Sequence, residues 1–120
     1  MNIELLREYC LSKKAATEGF PFDENTLVFK VMGKMFALTA LEDPTFVNLK
    51  CDPEYAIELR EEYPGIITPG FHMSKTHWNT VSIVDTLSDQ QIRDLVDHSY
   101  DMVVAKLTKK MKAELEAMEG

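Results

Sequence analysis

Two apolar runs joined by a two-residue turn restrict the possible folds of this chain more than any other feature. Residues 26–32 and 35–41 are rich in apolar side chains, and Gly33-Lys34 separates them. Two strand-like runs separated by two residues with glycine first are typical of a β-hairpin with a type II′ turn. The sequence therefore predicts an antiparallel hairpin at residues 26–41.

The predicted pairing of Met32 with Met35 sorts the hairpin side chains into two faces, because side chains alternate along a strand. The uniformly apolar face is assigned to the core and comprises Leu27, Phe29, Val31, Phe36, Leu38 and Ala40. The other face is mixed, tolerates water and comprises Val28, Lys30, Met32, Met35, Ala37 and Thr39.

The rest of the chain adds helices and two more strands. Periodicity predicts a first helix at residues 3–14 with Asn2 as its cap, and strands at residues 46–51 and 78–84. The pair Asp52-Pro53 is a strong start signal for a second helix, which ends before Pro64-Gly65.

A third helix begins after Ser88, which has capping-box spacing to Gln91. No Gly or Pro occurs at residues 88–119, so this helix is expected to continue into a C-terminal tail from about residue 108. These elements predict one α+β domain over residues 1–120, in which helices pack on one face of an antiparallel sheet of about four or five strands.

Composition limits the classes of function. The formal net charge is −7, with 20 acidic and 13 basic residues, which opposes non-specific attraction to nucleic acid. No apolar run is long enough for a membrane helix and no signal-peptide pattern opens the sequence, so we expect a cytoplasmic protein without a membrane partner. Cys10 and Cys51 lie in apolar patterns typical of buried free thiols. The oligomeric state stays open.

The acidic residues avoid two windows, at residues 25–41 and 63–84. If these windows lie close together, they form a local positive surface on an acidic protein. The candidate ligand-binding or nucleic-acid-binding residues in and between them are Lys30, Lys34, Lys50, His72, Lys75, His77, Trp78 and Asn79. The lysines would meet phosphates, and His77 and Trp78 would meet bases or a ring. Packing of Trp78 against the sheet is the competing structural interpretation.

Several short motifs resemble the MmcQ/YjbR family of small bacterial proteins. They are Val28-Phe29-Lys30-Val31, Gly33-Lys34-Met35-Phe36-Ala37-Leu38, Leu49-Lys50-Cys51, Leu59-Arg60, Pro69-Gly70-Phe71-His72-Met73, Lys75-Thr76-His77-Trp78-Asn79-Thr80-Val81 and Ser99-Tyr100. The resemblance covers roughly residues 10–110. It implies a fold similar to bacterial frataxin and a suggested binding of DNA through a double-wing arrangement of hairpins, with no enzymatic activity attached.

The sequence gives little support for metal binding, cofactor binding or catalysis. His72 and His77 lack zinc-ligand spacing, and no catalytic motif or cofactor-binding loop stands out, so neither a metal nor a cofactor is expected. A Cys51–His nucleophile is disfavoured because Cys51 is predicted to face the core. Arg60 is interpreted as pairing with Glu61, Glu62 or a helix terminus. The leading hypothesis is a binding module for DNA, and a small-anion binder or a protein–protein adaptor that uses the same face remains the alternative.

Overall fold

A computed structural model describes residues 1–70 and 73–119 of the chain. The helices are α1 (Ile3–Ser12), α2 (Pro53–Glu62), α3 (Asp89–Ala105) and α4 (Lys109–Ala117). The strands are β1 (Ala16–Gly19), β2 (Thr26–Val31), β3 (Lys34–Ala40), β4 (Asp43–Lys50), β5 (Ile67–Pro69) and β6 (Trp78–Ser82).

The six strands form one sheet in the order β1-β2-β3-β4-β6-β5, and every neighbouring pair is antiparallel. The predicted α+β class is confirmed. The prediction of four or five strands missed β1 and β5, which are only four and three residues long. Both lie at the edges of the sheet, where half of the backbone groups need no partner strand and the apolar alternation is weak.

The start signals of the helices act as predicted. Asn2 accepts a hydrogen bond from the backbone N–H of Leu5, and Asp52 caps α2 with proline at its start. Both bonds of the capping box between Ser88 and Gln91 are present. The prediction of one continuous last helix is wrong, because α3 ends at Ala105 and Thr108 caps a separate helix, α4. The Thr108 hydroxyl oxygen accepts a hydrogen bond from the backbone N–H of Met111, so a new helix starts here without Gly or Pro between the two helices.

One face of the sheet packs against the helices and holds the main core. Leu6 of α1, Leu59 of α2, Ile92 of α3 and Leu115 of α4 all belong to one apolar cluster with the sheet. The strands contribute Leu27, Phe29, Val31, Phe36, Ala37, Val47, Leu49, Ile67 and Val81. Cys10 and Cys51 are free and buried in the same core.

The hairpin turn lies one residue earlier than predicted. Val31 pairs with Lys34, and the two residues between them both have positive φ, 50° at Met32 and 79° at Gly33. Positive φ at both central positions defines a type I′ turn, whose twist suits a two-residue hairpin. The predicted type II′ turn at Gly33-Lys34 is therefore wrong, and Lys34 is the first residue of β3.

A β-bulge then shifts the alternation along β3. Phe29 pairs with Ala37 but Lys30 pairs with Met35, so Phe36 is an extra residue on β3. Phe36 and Ala37 consequently both face the helices. Leu38 and Ala40 were assigned to the core face, and this assignment is wrong because the bulge turns them to the opposite side of the sheet.

The sheet face opposite the helices, called the outer face below, carries its own small apolar cluster. Val28, Leu38 and Trp78 are buried there, with Met35 and Met73 packed against them. Lys30 and Lys50 lie on this face, as predicted, since each alternates with residues of the main core. No helix within the described residues is long and apolar enough to cross a bilayer.

Candidate anion-binding site

Three lysines line a cleft at one end of the sheet. Lys34 begins β3 and Lys50 ends β4, so antiparallel order brings these two lysines to the same end, beside Trp78 at the start of β6. The third lysine, Lys106, follows α3. The cleft has a volume of about 360 Å³. The described residues that line it are Lys34, Met35, Lys50, Trp78, Val103, Lys106 and Leu107. We call it the basic cleft.

The positive charge of the basic cleft is not balanced by any carboxylate in its described lining. The ion pairs within residues 1–70 and 73–119 involve other groups. Burial, and then repulsion by the neighbouring Lys106 ammonium, lower the pKa of Lys50. Like charges held together in a partly desolvated cleft favour an anion that neutralises them.

The backbone around Lys50 is held by α3. The Lys50 N–H donates to the Ser99 hydroxyl oxygen at 2.8 Å, and that hydroxyl donates to the Phe36 carbonyl oxygen at 2.6 Å. Ser99 is fully buried. One helical side chain thus ties the bulge of β3 to the end of β4, where Lys50 projects.

Arg60 holds the start of β6. Its Nε donates to Asn79 Oδ1 at 2.7 Å, and its Nη2 donates to the carbonyl oxygens of Lys75 and Trp78. The interpretation that Arg60 pairs with an acidic neighbour or a helix terminus is therefore wrong. A guanidinium can bind several acceptors in a planar fork, so Arg60 fastens the carboxylate-free segment to α2.

Trp78 is a wall of the cleft and not an open platform. Only 8% of its surface is exposed, and its side chain packs with Val28, Leu38, Met35 and Met73. The expectation of an exposed indole that stacks on a base is corrected by this burial. The competing interpretation, packing against the sheet, describes Trp78 better.

The other predicted site residues are dispersed. Lys30 lines a separate depression beside Glu18, Lys75 is exposed in the turn before β6, and His77 is half-buried. Asn79 was predicted to contact ligand, but it is buried on the helix side of the sheet and bonded to Arg60, so it cannot reach the outer face. His72 lies outside the described residues.

Lys106 is the cleft residue that the sequence did not reveal. It follows α3 directly, at a position where the sequence was expected to form one continuous helix. Its position depends on where α3 ends, which is at Ala105, three residues before Thr108 caps α4.

The described residues show no group of three or more His, Cys, Asp or Glu side chains that could hold a metal ion. Burial raises the pKa of the Cys51 thiol to about 11. This thiol is therefore protonated near neutral pH, where a cysteine nucleophile would need to be a thiolate.

A second hollow opens on the outer face beside the basic cleft, and Met35 lines both. Its volume is about 430 Å³. Its described lining includes the apolar side chains of Phe22, Leu38, Phe46 and Met73, together with the amide of Asn48. We call it the apolar pocket.

Curated relatives support a single family. The chain is 39% identical over 92 residues to the uncharacterized protein YbdF of Escherichia coli O157:H7, covering 76% of this chain and 75% of that protein. It is 36% identical over 105 residues to the uncharacterized protein YjbR of Escherichia coli strain K12, covering 87% of this chain and 88% of YjbR.

Solved structures share the fold. Protein DR2400 of Deinococcus radiodurans, described as a DUF419 domain, superposes with a TM-score of 0.88 at 40% identity, over 99% of this chain and 93% of that one. A protein from Pseudomonas syringae gives a TM-score of 0.73 at 26% identity, over 85% of this chain and 98% of that one. The family model described as YjbR matches residues 11–102. This chain therefore belongs to the YjbR family.

Proposed function

We propose that this protein is a non-enzymatic binding module that holds the phosphates of DNA at the basic cleft. The convergence of Lys34, Lys50 and Lys106 without a lining carboxylate is the observation that carries the proposal. Lysine ammonium groups are point charges with three donors each, which suits them to phosphate oxygens.

The net charge of −7 opposes binding of phosphates elsewhere on the surface, so we expect the interaction to depend on the lysines of the cleft. Counterion release scales with the number of phosphates neutralised, so three lysines provide a modest interaction. The depressed pKa of Lys50 supports the same assignment, because a bound phosphate would relieve the repulsion between Lys50 and Lys106.

A small phosphorylated ligand is the second candidate. The cleft is not a flat strip along the sheet, since Val103 and Leu107 form a further wall beside the lysines. A volume of about 360 Å³ lies in the range of small-ligand pockets.

Fluorescence anisotropy with labelled oligonucleotides tests the proposal. We expect binding that weakens between about 50 and 200 mM salt with a log–log slope of roughly −2 to −3 for three phosphates. Lys50→Ala and Lys34→Ala should each reduce the magnitude of that slope by roughly one. Lys14→Ala is the matched control, because it removes the same charge in the turn after α1, outside the cleft.

Absence of binding at low salt would overturn the DNA proposal, as would equal effects of Lys50→Ala and Lys14→Ala. A thermal-shift series with inorganic phosphate, pyrophosphate and nucleoside monophosphates separates the second candidate. Stabilisation by these ligands that Lys50→Ala abolishes, without oligonucleotide binding, would identify a small-anion binder.

A further inference from the structure

We propose that the apolar pocket and the basic cleft together accept one nucleotide unit, with an unpaired base in the pocket and its phosphate on the lysines. This inference rests on the proposed function and names its substrate class, which is unpaired nucleotides, either free or in a single strand. Duplex DNA offers phosphates but keeps its bases stacked and paired, so a base could enter the pocket only after extrusion.

The walls of the apolar pocket suit the faces of a base. Phe22 and Phe46 provide aromatic rings, and Leu38 and Met73 provide adaptable apolar surface. Phe22 is 64% exposed, so most of its ring is open to contact with a ligand. The pocket volume of about 430 Å³ lies within the range of small-ligand sites. Stacking on aromatic side chains tolerates every base, so these walls set no strict sequence preference.

Asn48 supplies a polar group to this otherwise apolar pocket. Its side chain is on the outer face, only 8% of the residue is exposed, and its Oδ1 accepts a hydrogen bond from the Thr80 hydroxyl at 2.5 Å. The hydrogen bonds of the described residues use Oδ1 of Asn48 and not its Nδ2 group. None of the fully buried side-chain polar atoms of these residues lacks a partner, so Nδ2 keeps some accessible surface, and Asn48 lines the pocket. Its N–H groups can donate to a ring nitrogen or carbonyl of a base.

The two sites are close enough for one nucleotide. Met35 lines both, and Asn48 and Lys50 project from the same face of β4 two residues apart, which corresponds to about 7 Å along a strand. An amide donor for the base and an ammonium group for the phosphate are thus held on one rigid strand.

The test compares ligands that do and do not offer an unpaired base. Anisotropy is measured with a single-stranded oligonucleotide, an abasic strand of the same length and the corresponding duplex, and adenosine monophosphate is used as a competitor. We expect the normal strand to bind roughly tenfold or more tightly than the abasic strand or the duplex, since stacking contributes at this level per base.

Phe22→Ala is the informative variant, because an exposed side chain can be removed without disturbing the core. We expect it to weaken the single strand roughly five- to hundredfold and leave the abasic strand unchanged. Phe20→Ala is its matched control: Phe20 is also exposed, at 47%, but lines the depression beside Lys30. It should leave all affinities unchanged.

The outcomes distinguish failure of the base pocket from failure of the DNA proposal. Equal binding of the normal and abasic strands, both sensitive to Lys50→Ala, would overturn the base pocket and leave the phosphate site standing. Loss of all oligonucleotide binding, with adenosine monophosphate still bound in a Phe22-dependent way, would support the nucleotide site with a free nucleotide as its source and overturn DNA as the ligand. Binding of neither class would overturn both.

Discussion

The buried hydroxyl of Ser99 donates to the carbonyl oxygen of Phe36 at 2.6 Å, across the interface between α3 and the bulge of β3. Phe36 is the residue that the bulge leaves without a partner on β2. A bulge disrupts the local ladder, so a backbone carbonyl there needs another donor. Ser99 meets this need from the helix layer and also accepts the N–H of Lys50.

Ser99→Ala should therefore lower the free energy of unfolding by about 2 kcal/mol, because it leaves a buried carbonyl and a backbone N–H unsatisfied. Chemical denaturation monitored by far-UV circular dichroism measures this. Ser12→Ala is the control, since the Ser12 hydroxyl bonds to Tyr9 at an exposed position. A loss no larger than that of Ser12→Ala would show that Ser99 does not support the bulge.

The same bulge explains which parts of the fold the sequence could predict. The hydrophobic period located β2, β3, β4, β6 and α1, start signals located α2 and α3, and the class followed from their order. The assignment of Leu38 to the core face failed because a bulge inverts the alternation of side chains that follow it. The bulged residue, Phe36, is hydrogen-bonded by a serine on α3 that is 63 residues away in the sequence. The alternation of apolar and polar residues within the hairpin does not reveal this long-range contact.

The candidate site was predicted in part for similar reasons. Lys34 and Lys50 could be placed together because antiparallel order determines which strand ends meet. Trp78 could not be recognised as a wall, since its burial depends on Leu38 and Met73, whose positions follow from the bulge and from tertiary packing. Asn79 shows the reverse case: its place in a motif suggested a ligand, whereas alternation along β6 already placed it on the helix side.

Gly70 is required by the close approach of its backbone to β6. A Cβ at this position would lie 2.8 Å from the Cβ of Trp78 and 2.9 Å from its carbonyl oxygen. The Gly70 N–H also donates to that oxygen at 2.8 Å, so the segment cannot move away without losing a hydrogen bond. We expect Gly70→Ala to destabilise the protein by about 1–3 kcal/mol and to shift the emission of Trp78, the only tryptophan.

Gly19→Ala provides the comparison for Gly70→Ala. Nothing lies within 4 Å of a Cβ built at Gly19, and its φ is not positive, so the added methyl group meets open space. This variant should change stability by less than about 0.5 kcal/mol. Similar melting curves for the two variants would contradict the steric argument.

Lys106→Ala separates binding from stability at the basic cleft. Lys106 has no ion-pair partner among the described residues and lowers the pKa of Lys50 by repulsion. Its removal should leave the free energy of unfolding unchanged or raise it by less than about 0.5 kcal/mol, while weakening oligonucleotide or phosphate binding. Thermal melts and anisotropy on the same preparation measure both. A loss of more than about 1 kcal/mol would mean that Lys106 stabilises the fold and is not held there against repulsion.

Tyr9 should make the fold sensitive to alkaline pH. Its hydroxyl donates to Asp97 Oδ1 at 2.5 Å, and Lys13 donates to the same oxygen at 2.8 Å. Burial, and then the bond to Asp97, raise the pKa of Tyr9 to about 12. Because this folded-state pKa lies above the ordinary value of 10.0, the contribution of Tyr9 is complete below pH 10 and is lost as the pH rises towards 12.

Tyr9→Phe should therefore cost about 1 kcal/mol at neutral pH, where the hydrogen bond to Asp97 is lost, and show a shallower decline above pH 10. Some decline remains, since burial also raises the pKa of Cys10 to about 12 and raises that of Tyr100. Denaturant unfolding at pH 8, 10 and 11 in both proteins measures the two slopes. Parallel slopes above pH 10 would show that Tyr9 titrates alike in the folded and unfolded chains, and that its bond to Asp97 does not join α1 to α3 as the distances indicate.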